Sequence, residues 1–476
     1  MALQFFNTLS RSVQEFVPRD PRRQSVGLYC CGPTVHDFAH VGNFRTFVFA
    51  DLVRRYLEFK GHKVRHVMNI TDVEDKIIRR VRETNAPLRD YTAPFEAAFF
   101  QDFQALNCLL PHDTPRASEH IADIIALIEK LVARGVAYRA ADGSVYFSIE
   151  KYQGAGGHYG RLLKLNFEEM RPGERVSSDE YAKEAAADFA LWKARVPDDG
   201  AVFWPSPWGE GRPGWHIECS AMSMKSLGPS FDLHLGGEDL IFPHHEDEIA
   251  QSEGAGAQAA GEPFVKYWLH GAHLLVEGKK MSKSLGNYFT LRDLLGKGFT
   301  GREVRYLLLT AHYRESFNFT LEGLQGARTA LARIDECVGK LAEIAASSQT
   351  GPSVPDVLHR FTQAMDEDLN VAAAWGAIFE WVRETNKQLA ENRIASGRAT
   401  TLMAAWQRIN QVLGLHTAQE NEMGEKLEPA LQKFLEERAA ARKARDFKRS
   451  DAIRDELKEM GWIIEDTPKG QRLKRL

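Results

Sequence analysis

Four residues carry donor atoms of the kinds that bind metal: Cys31, Cys219, His244 and Glu248. In Pro243-His244-His245-Glu246-Asp247-Glu248 an imidazole and a carboxylate stand four apart, so a helix starting after the proline aims both from one face. Thiolate, imidazole and carboxylate are ordinary zinc ligands, with Zn–S near about 2.3 Å, and the two cysteines complete a tetrahedral set. The same spacing also suits capping or surface histidines and cysteines packed as small apolar residues. A second element, Gly278-Lys279-Lys280-Met281-Ser282-Lys283-Ser284, places three lysines and two hydroxyls in a glycine-opened loop suited to a polyphosphate, or to solvent alone. A third runs from Thr34 to Asn43. Its His36, His40 and Asn43 can donate to oxygens that gain charge at a reacting phosphate, or serve only as polar groups at a helix start. Together the three elements suggest an enzyme that grips a thiol while cutting a nucleotide.

The flanking patterns say what must position these groups. Val26 to Cys31 is a short apolar run, followed by a turn at Gly32-Pro33-Thr34 and helical periodicity over Val35 to Glu58. Lys63 to Ile70 alternates as a strand and Asp72 to Glu83 reads as a polar-faced helix, which predicts a parallel α/β sheet with ligands at its strand ends. From His112 to Val196 the character changes to an amphipathic helix (Ser118 to Arg134), a hairpin around Asp142-Gly143 and a glycine-bearing polar stretch, read as an insertion. The sheet pattern resumes over Gly214 to Met224, Phe231 to Leu235 and Lys266 to Val276. Beyond Gly301 amphipathic helices follow one another over Gly301 to Thr310, Leu321 to Ser347, Val354 to Leu369 and Val371 to Leu389. A last segment begins near Glu428 and crowds Arg438, Arg442, Lys443, Arg445, Lys448, Arg449 and Arg454 into one helical region. A salt-bridged solvent helix looks much the same.

At 476 residues the chain is too long for one core, and two to four domains of roughly 100 to 200 residues are expected. Hydrophobic content of 43% and charged content of 26% are those of a soluble protein, and no apolar run approaches the ~20 residues that span a bilayer. Met1 to Leu9 has neither a basic lead nor a sustained apolar stretch, which points to the cytoplasm. Five cysteines do not make an even disulfide framework and are expected as thiols or metal ligands. A net charge of −4 gives no global sign of a nucleic-acid binder, so any such partner is met by a local basic patch.

Several segments carry a recognisable pattern. His40-Val41-Gly42-Asn43 resembles the HIGH signature and Lys280 to Ser284 matches KMSKS, the pair that marks class I aminoacyl-tRNA synthetases. More specifically, the chain resembles the cysteinyl-tRNA synthetase family, and the likeness spans essentially its whole length. Tyr29-Cys30-Cys31-Gly32-Pro33-Thr34-Val35, Asn69-Ile70-Thr71-Asp72, Gly214-Trp215-His216-Ile217-Glu218-Cys219-Ser220, Phe242-Pro243-His244-His245-Glu246 and the lysine loop occur in that family's order.

The resemblance implies a Rossmann-like parallel-sheet catalytic domain over 1–111 and 197–300, a connective insertion at 112–196, a helical bundle at 301–425 and an anticodon-recognising module at 426–476. It implies that Cys31, Cys219, His244 and Glu248 bind one Zn²⁺ that takes the thiolate of substrate cysteine. Thr71 and Trp215 are expected to line the amino-acid pocket. Thr34, His40 and Asn43 are expected near the phosphates of ATP, with Lys280 and Lys283 steadying the departing pyrophosphate beside Mg²⁺. The implied reaction joins L-cysteine to tRNA(Cys) through cysteinyl-adenylate, in a monomer with no membrane role. Cys30 beside Cys31, Asn43 in place of a second histidine and Leu235 in place of a glycine depart from the pattern. Two other readings are a ligase passing cysteine to an amino sugar, as in mycothiol synthesis, and a non-catalytic zinc-stabilised RNA-binding relative.

Overall fold

The computed structural model describes residues 2–163, 188–259, 261–281, 287–345, 355–416, 429–444, 446–459, 462–467 and 470–475. Its centre is a sheet of four parallel strands in the order Val265–Gly271, Phe231–Gly237, Ser25–Cys30, Lys63–Met68. From Ser25–Cys30 the chain first crosses to the strand on one side and returns much later to the strand on the other. The order therefore reverses between Ser25–Cys30 and Phe231–Gly237, and a crevice opens at their carboxyl ends. Leu28, Cys30, Leu233, Leu235 and Leu269 are buried with Val41, Phe44, Val48 and Leu52 of the Val41–Phe59 helix. Tyr29, Cys31, Phe231 and Trp268 belong to a separate cluster.

Two expectations need correction. Helical periodicity extends back to Val35, yet the helix starts at Val41. His40 is its N-cap: the ring accepts from the Asn43 backbone N–H and the Asn43 side chain accepts from that of His40, a reciprocal cap that fixes the start. Gly214 to Met224 is not sheet. Gly214 caps a helix, Trp215–Leu227, in which every residue from His216 to Ser223 is buried. A helix enclosed on all sides has no polar face, so its 3.6-residue period fades from the sequence.

Between the second and third sheet strands a four-stranded antiparallel sheet (Ala137–Arg139, Val145–Phe147, Phe189–Ala194, Gly211–Pro213) packs with the Ile121–Ala133 helix over Ile124, Leu131, Phe147, Leu191 and Trp192. Beyond residue 300 come the helices Gly301–Leu308, Leu321–Ile344, Asp356–Asp366, Val371–Ala390 and Ser396–Leu413. The chain divides into two compact units, Met1–Leu415 and His416–Leu476. In the second, helices Pro429–Lys443 and Phe447–Glu459 and the hairpin Trp462–Thr467/Gly470–Arg475 enclose Leu431, Ile453, Leu457 and Ile464. Arg449 there is paired with Glu437 and Glu456, and Arg454 with Asp451 and Asp455. Among the described residues no helix is long and apolar enough to cross a membrane.

A buried ionic knot ties the first unit together. Asp51, in the middle of the Val41–Phe59 helix, accepts from Arg305 at 2.5 Å, Arg55 at 2.7 Å and the Leu109 backbone N–H at 2.8 Å. Arg305, with 0% of its side chain exposed, also donates to the carbonyls of Leu413 and Leu106. Burial pushes the Asp51 carboxyl up, but the guanidinium charges of Arg305 and Arg55 outweigh it and hold it below the ordinary value. Its folded-state contribution is therefore present above about pH 3.9, the unfolded carboxyl value, and is lost as pH falls further. Removing one partner of such a pair costs about 3–5 kcal/mol. Asp51→Ala is thus expected to lower stability at pH 7 by about that much, with the deficit narrowing below about pH 4. Urea-unfolding midpoints of both proteins across pH check this, and equal midpoints at pH 7 would refute it.

Candidate active site

The sequence-predicted ligands converge at the carboxyl edge of the sheet. Cys31 leaves the Ser25–Cys30 strand, its N–H donating to Leu235 O at 3.1 Å. Its Sγ lies 3.9 Å from Cys219 Sγ, 3.5 Å from His244 Nε2 and 3.7 Å from Glu248 Oε1. His244 Nε2 is 3.0 Å from Glu248 Oε1, and all four side chains are buried. A tetrahedron with Zn–S of about 2.3 Å and Zn–N or Zn–O of about 2.05 Å has S–S edges of about 3.8 Å, S–N or S–O edges of about 3.5 Å and an N–O edge of about 3.3 Å. The observed separations lie within about 0.3 Å of those edges. The donor set therefore fits a metal of zinc's size and softness, and these residues could hold one. His244 closes an irregular turn, Ile241–His245, and Glu248 stands in the first turn of the Glu246–Gly254 helix. The four-residue spacing works across that junction.

Around this set lie groups that sequence reasoning left without roles. His244 Nδ1 is 2.8 Å from His216 Nδ1, and His216 Nε2 faces Asp247 Oδ2 at 3.5 Å, so the His216 imidazole backs that of His244 with a carboxylate behind it. His234 Nε2 meets Glu248 Oε2 at 2.9 Å while its ring stacks on Trp268. Their legible signal is a polar residue inside a wholly buried element, such as His234 within Asp232-Leu233-His234-Leu235. Cys31, His234, His245 and Glu248 also come close enough to form a second such set. We favour the first, because Trp215, 40% exposed, rests its ring 4.6 Å from His244 and so places that set next to the surface. Leu235 and Cys30 share the main core, on the face away from Cys31.

Burial drives charge here. It raises Glu248, but His234 and His244 beside it bring its carboxyl down to about 2. Burial works against the imidazolium of His244, yet Glu248 and the Cys219 sulfur raise it to about 10. Hydrogen bonding from the Cys31 thiol lowers Cys219 to about 6, whereas burial pushes Cys31 well up. Desolvation leaves His245 neutral.

The other expected residues flank this centre. A Cβ on Gly32 would meet Asn69 O at 1.7 Å, so only glycine lets the loop after Cys31 lie against the Asn69-Ile70-Thr71 segment. Thr34 and Thr71 are bridged through their backbones, and Thr71 Oγ1 accepts from Asn69 Nδ2 at 3.1 Å. His40 and Asn43 are joined in the helix cap. Both ends of the lysine loop return to this turn: a Cβ on Gly42 would lie 3.0 Å from Met281 Cε, and Val41 N–H donates to Phe289 O at 3.0 Å. Lys280 sits in a short strand, Lys279–Lys280, paired antiparallel with Leu274–Val276. Ser282, Lys283 and Ser284 lie outside the described residues.

Residues 18–329 match the family described as the tRNA synthetases class I (C) catalytic domain, 360–417 the DALR domain and 425–473 the cysteinyl-tRNA ligase anticodon binding domain. The parallel sheet is that of solved class I synthetases: methionyl-tRNA synthetase of Mycobacterium tuberculosis, in complex with methionyl-adenylate, superposes with a TM-score of 0.59 at 15% identity over 82% of this chain and 90% of its own. A leucyl enzyme of Agrobacterium radiobacter, solved with tRNA, gives 0.58 at 12% identity over 82% and 84%. The fold and catalytic-domain match thus define a class I aminoacyl-tRNA synthetase. Proteins named cysteine–tRNA ligase from Chlamydia muridarum and Protochlamydia amoebophila are 45% and 43% identical, over 100% and 99% of this chain and 100% and 98% of their own. The chain belongs to the cysteine–tRNA ligase family. Neither the amino-sugar ligase nor the non-catalytic RNA-binding reading finds support in these likenesses.

With no metal bound, Cys31 and His244 both carry a proton at pH 8, while Cys219 and Glu248 do not. Loading metal at pH 8 is expected to release about two protons, one from each, so affinity rises with pH between about 6 and 10. Calorimetry in buffers of different ionisation enthalpy counts the protons; release of none would contradict the assignment.

Proposed function

We propose that the chain activates L-cysteine with ATP, giving cysteinyl-adenylate and pyrophosphate, and transfers the cysteinyl group to the 3′ end of tRNA(Cys), acting as a cytoplasmic monomer. The observation that carries this is the buried cluster of two thiols, an imidazole and a carboxylate under the half-exposed Trp215. Cys31, Cys219, His244 and Glu248 would hold one Zn²⁺, which when bound supplies a soft Lewis acid that prefers a thiolate to a hydroxyl. Thr71 and Trp215 would line the amino-acid pocket. A site built around such a contact discriminates by about 10⁴–10⁵, against about 10–200 for one methylene, so no editing domain is required.

No covalent bond to the protein is needed. The cysteine carboxylate attacks the α-phosphorus and pyrophosphate leaves; a terminal ribose hydroxyl then attacks the acyl carbon and AMP leaves. His40 accepts at Nδ1 from the Asn43 N–H, so its neutral ring holds its proton on Nε2, the atom that would donate to a phosphate oxygen. The Asn43 amide N–H₂ and the Thr34 hydroxyl add donors that do not titrate near neutral pH, and Lys280 and Lys283, with Mg²⁺, would steady the pyrophosphate. In this division of labour 1–111 and 197–300 hold the chemistry, 112–196 the connective insertion, 301–425 the helical bundle and 426–476 the anticodon contacts.

Transfer of radiolabelled cysteine to total tRNA, run beside cysteine-dependent ATP–pyrophosphate exchange, tests the reading. Charging with cysteine, none with serine, and loss of exchange on chelation are expected; exchange without transfer would overturn it. Lys283→Ala is expected to slow exchange by about 10²-fold or more while leaving the KM for cysteine nearly unchanged, as measured by initial rates.

A further inference from the structure

Between Thr34 and His40 the chain presents Phe38, with 41% of its surface exposed. Isolated exposed apolar residues are common and mean little. This ring is not isolated. It meets Phe95 edge-on with centroids 5.3 Å apart, and Phe95 meets Tyr91 at 5.4 Å, so three aromatic rings run in a strip onto the Leu88–Ala105 helix. Tyr91 Oη donates to His36 O at 2.9 Å, which anchors the strip to the loop that leads into the His40 turn. Above Phe38, the guanidinium of Arg292 lies 5.3 Å from the ring centroid. Arg292 is held there by Asp102 at 3.2 Å and by Gln101 Oε1 at 2.8 Å. Beside Tyr91, Arg80 is paired with Glu83 at 2.9 Å, so Arg292 is the cation the strip relies on.

Aromatic faces with fixed cations are how proteins hold unpaired bases without reading their sequence. Resting on the ligase reading above, we infer that Phe38, Phe95 and Tyr91, with Arg292, form the track along which the unpaired 3′ nucleotides of the tRNA stack as they reach the adenylate. The adenine of ATP would occupy one ring, whereas the strip is three rings long. Phe38 positions the acceptor and takes no part in bond making.

The test uses the full chain and Phe38→Leu, with Phe38→Trp as the conservative variant. Binding of intact tRNA and of tRNA trimmed of its unpaired 3′ nucleotides is measured by filter retention, independently of turnover. Phe38→Leu is expected to weaken binding of intact tRNA by about tenfold and of trimmed tRNA not at all, with Phe38→Trp restoring intact binding. In charging assays KM for tRNA is expected to rise by a similar factor, well beyond any change in KM for ATP during pyrophosphate exchange. Equal loss with intact and trimmed tRNA, no loss with either, or a parallel rise in KM for ATP would each overturn the inference. Failure of the ligase reading would show separately, as absence of exchange in the unaltered protein.

Discussion

The hydrogen-bonded ladder joining Ser25–Cys30 to Phe231–Gly237 is the constraint on which the rest depends. Parallel strands carry their carboxyl ends to one edge, and reversal of strand order between these two leaves a crevice there that no crossover helix fills. Cys31 leaves the first strand into that crevice, Thr34 and Thr71 meet at its rim, and His244 enters it from the turn after the third strand. Cys219 comes from a helix packed between the sheet and the inserted segment, so closure of the set requires both to be folded.

Within the crevice the controlling effect is desolvation. A lone buried carboxylate would be costly to ionise, and Glu248 stays charged because His234 and His244 face its two oxygens. Two thiols in the same space cannot be equally acidic, and the hydrogen bond between them gives the charge to Cys219. The groups that a metal would bind are thus held in place by one another and by the chain through His216 to Asp247.

The Val41–Phe59 helix links this chemistry to the helical half of the first unit. Its first turn presents His40 and Asn43, and one face in its middle carries Asp51 and Arg55 into the knot with Arg305. A rigid helix clamped at its centre gives little freedom to its amino end, so the donors expected to meet phosphate have fixed positions while Phe38, just before them, remains on the surface.

Legibility followed locality. The Ser25–Cys30 and Lys63–Met68 strands, the hairpin at Asp142-Gly143 and the amphipathic helices after Gly301 show in the sequence because their periods are short and each has one wet face or a turn signal. Trp215–Leu227 does not, since burial on every side from His216 to Ser223 erases the period. The four donors of the cluster could be listed from residue type and motif order, but His216, His234 and Asp247 could not be given work, because their partners stand 14 to 31 positions away in sequence or on other elements. The sequence by itself determined the donor types, the family pattern and the local elements, all of which depend on neighbours within a few residues. Tertiary structure alone decided which thiol carries charge, which imidazole faces which carboxylate and which aromatic rings stay exposed, because burial and proximity between distant segments exist only after the chain has closed on itself.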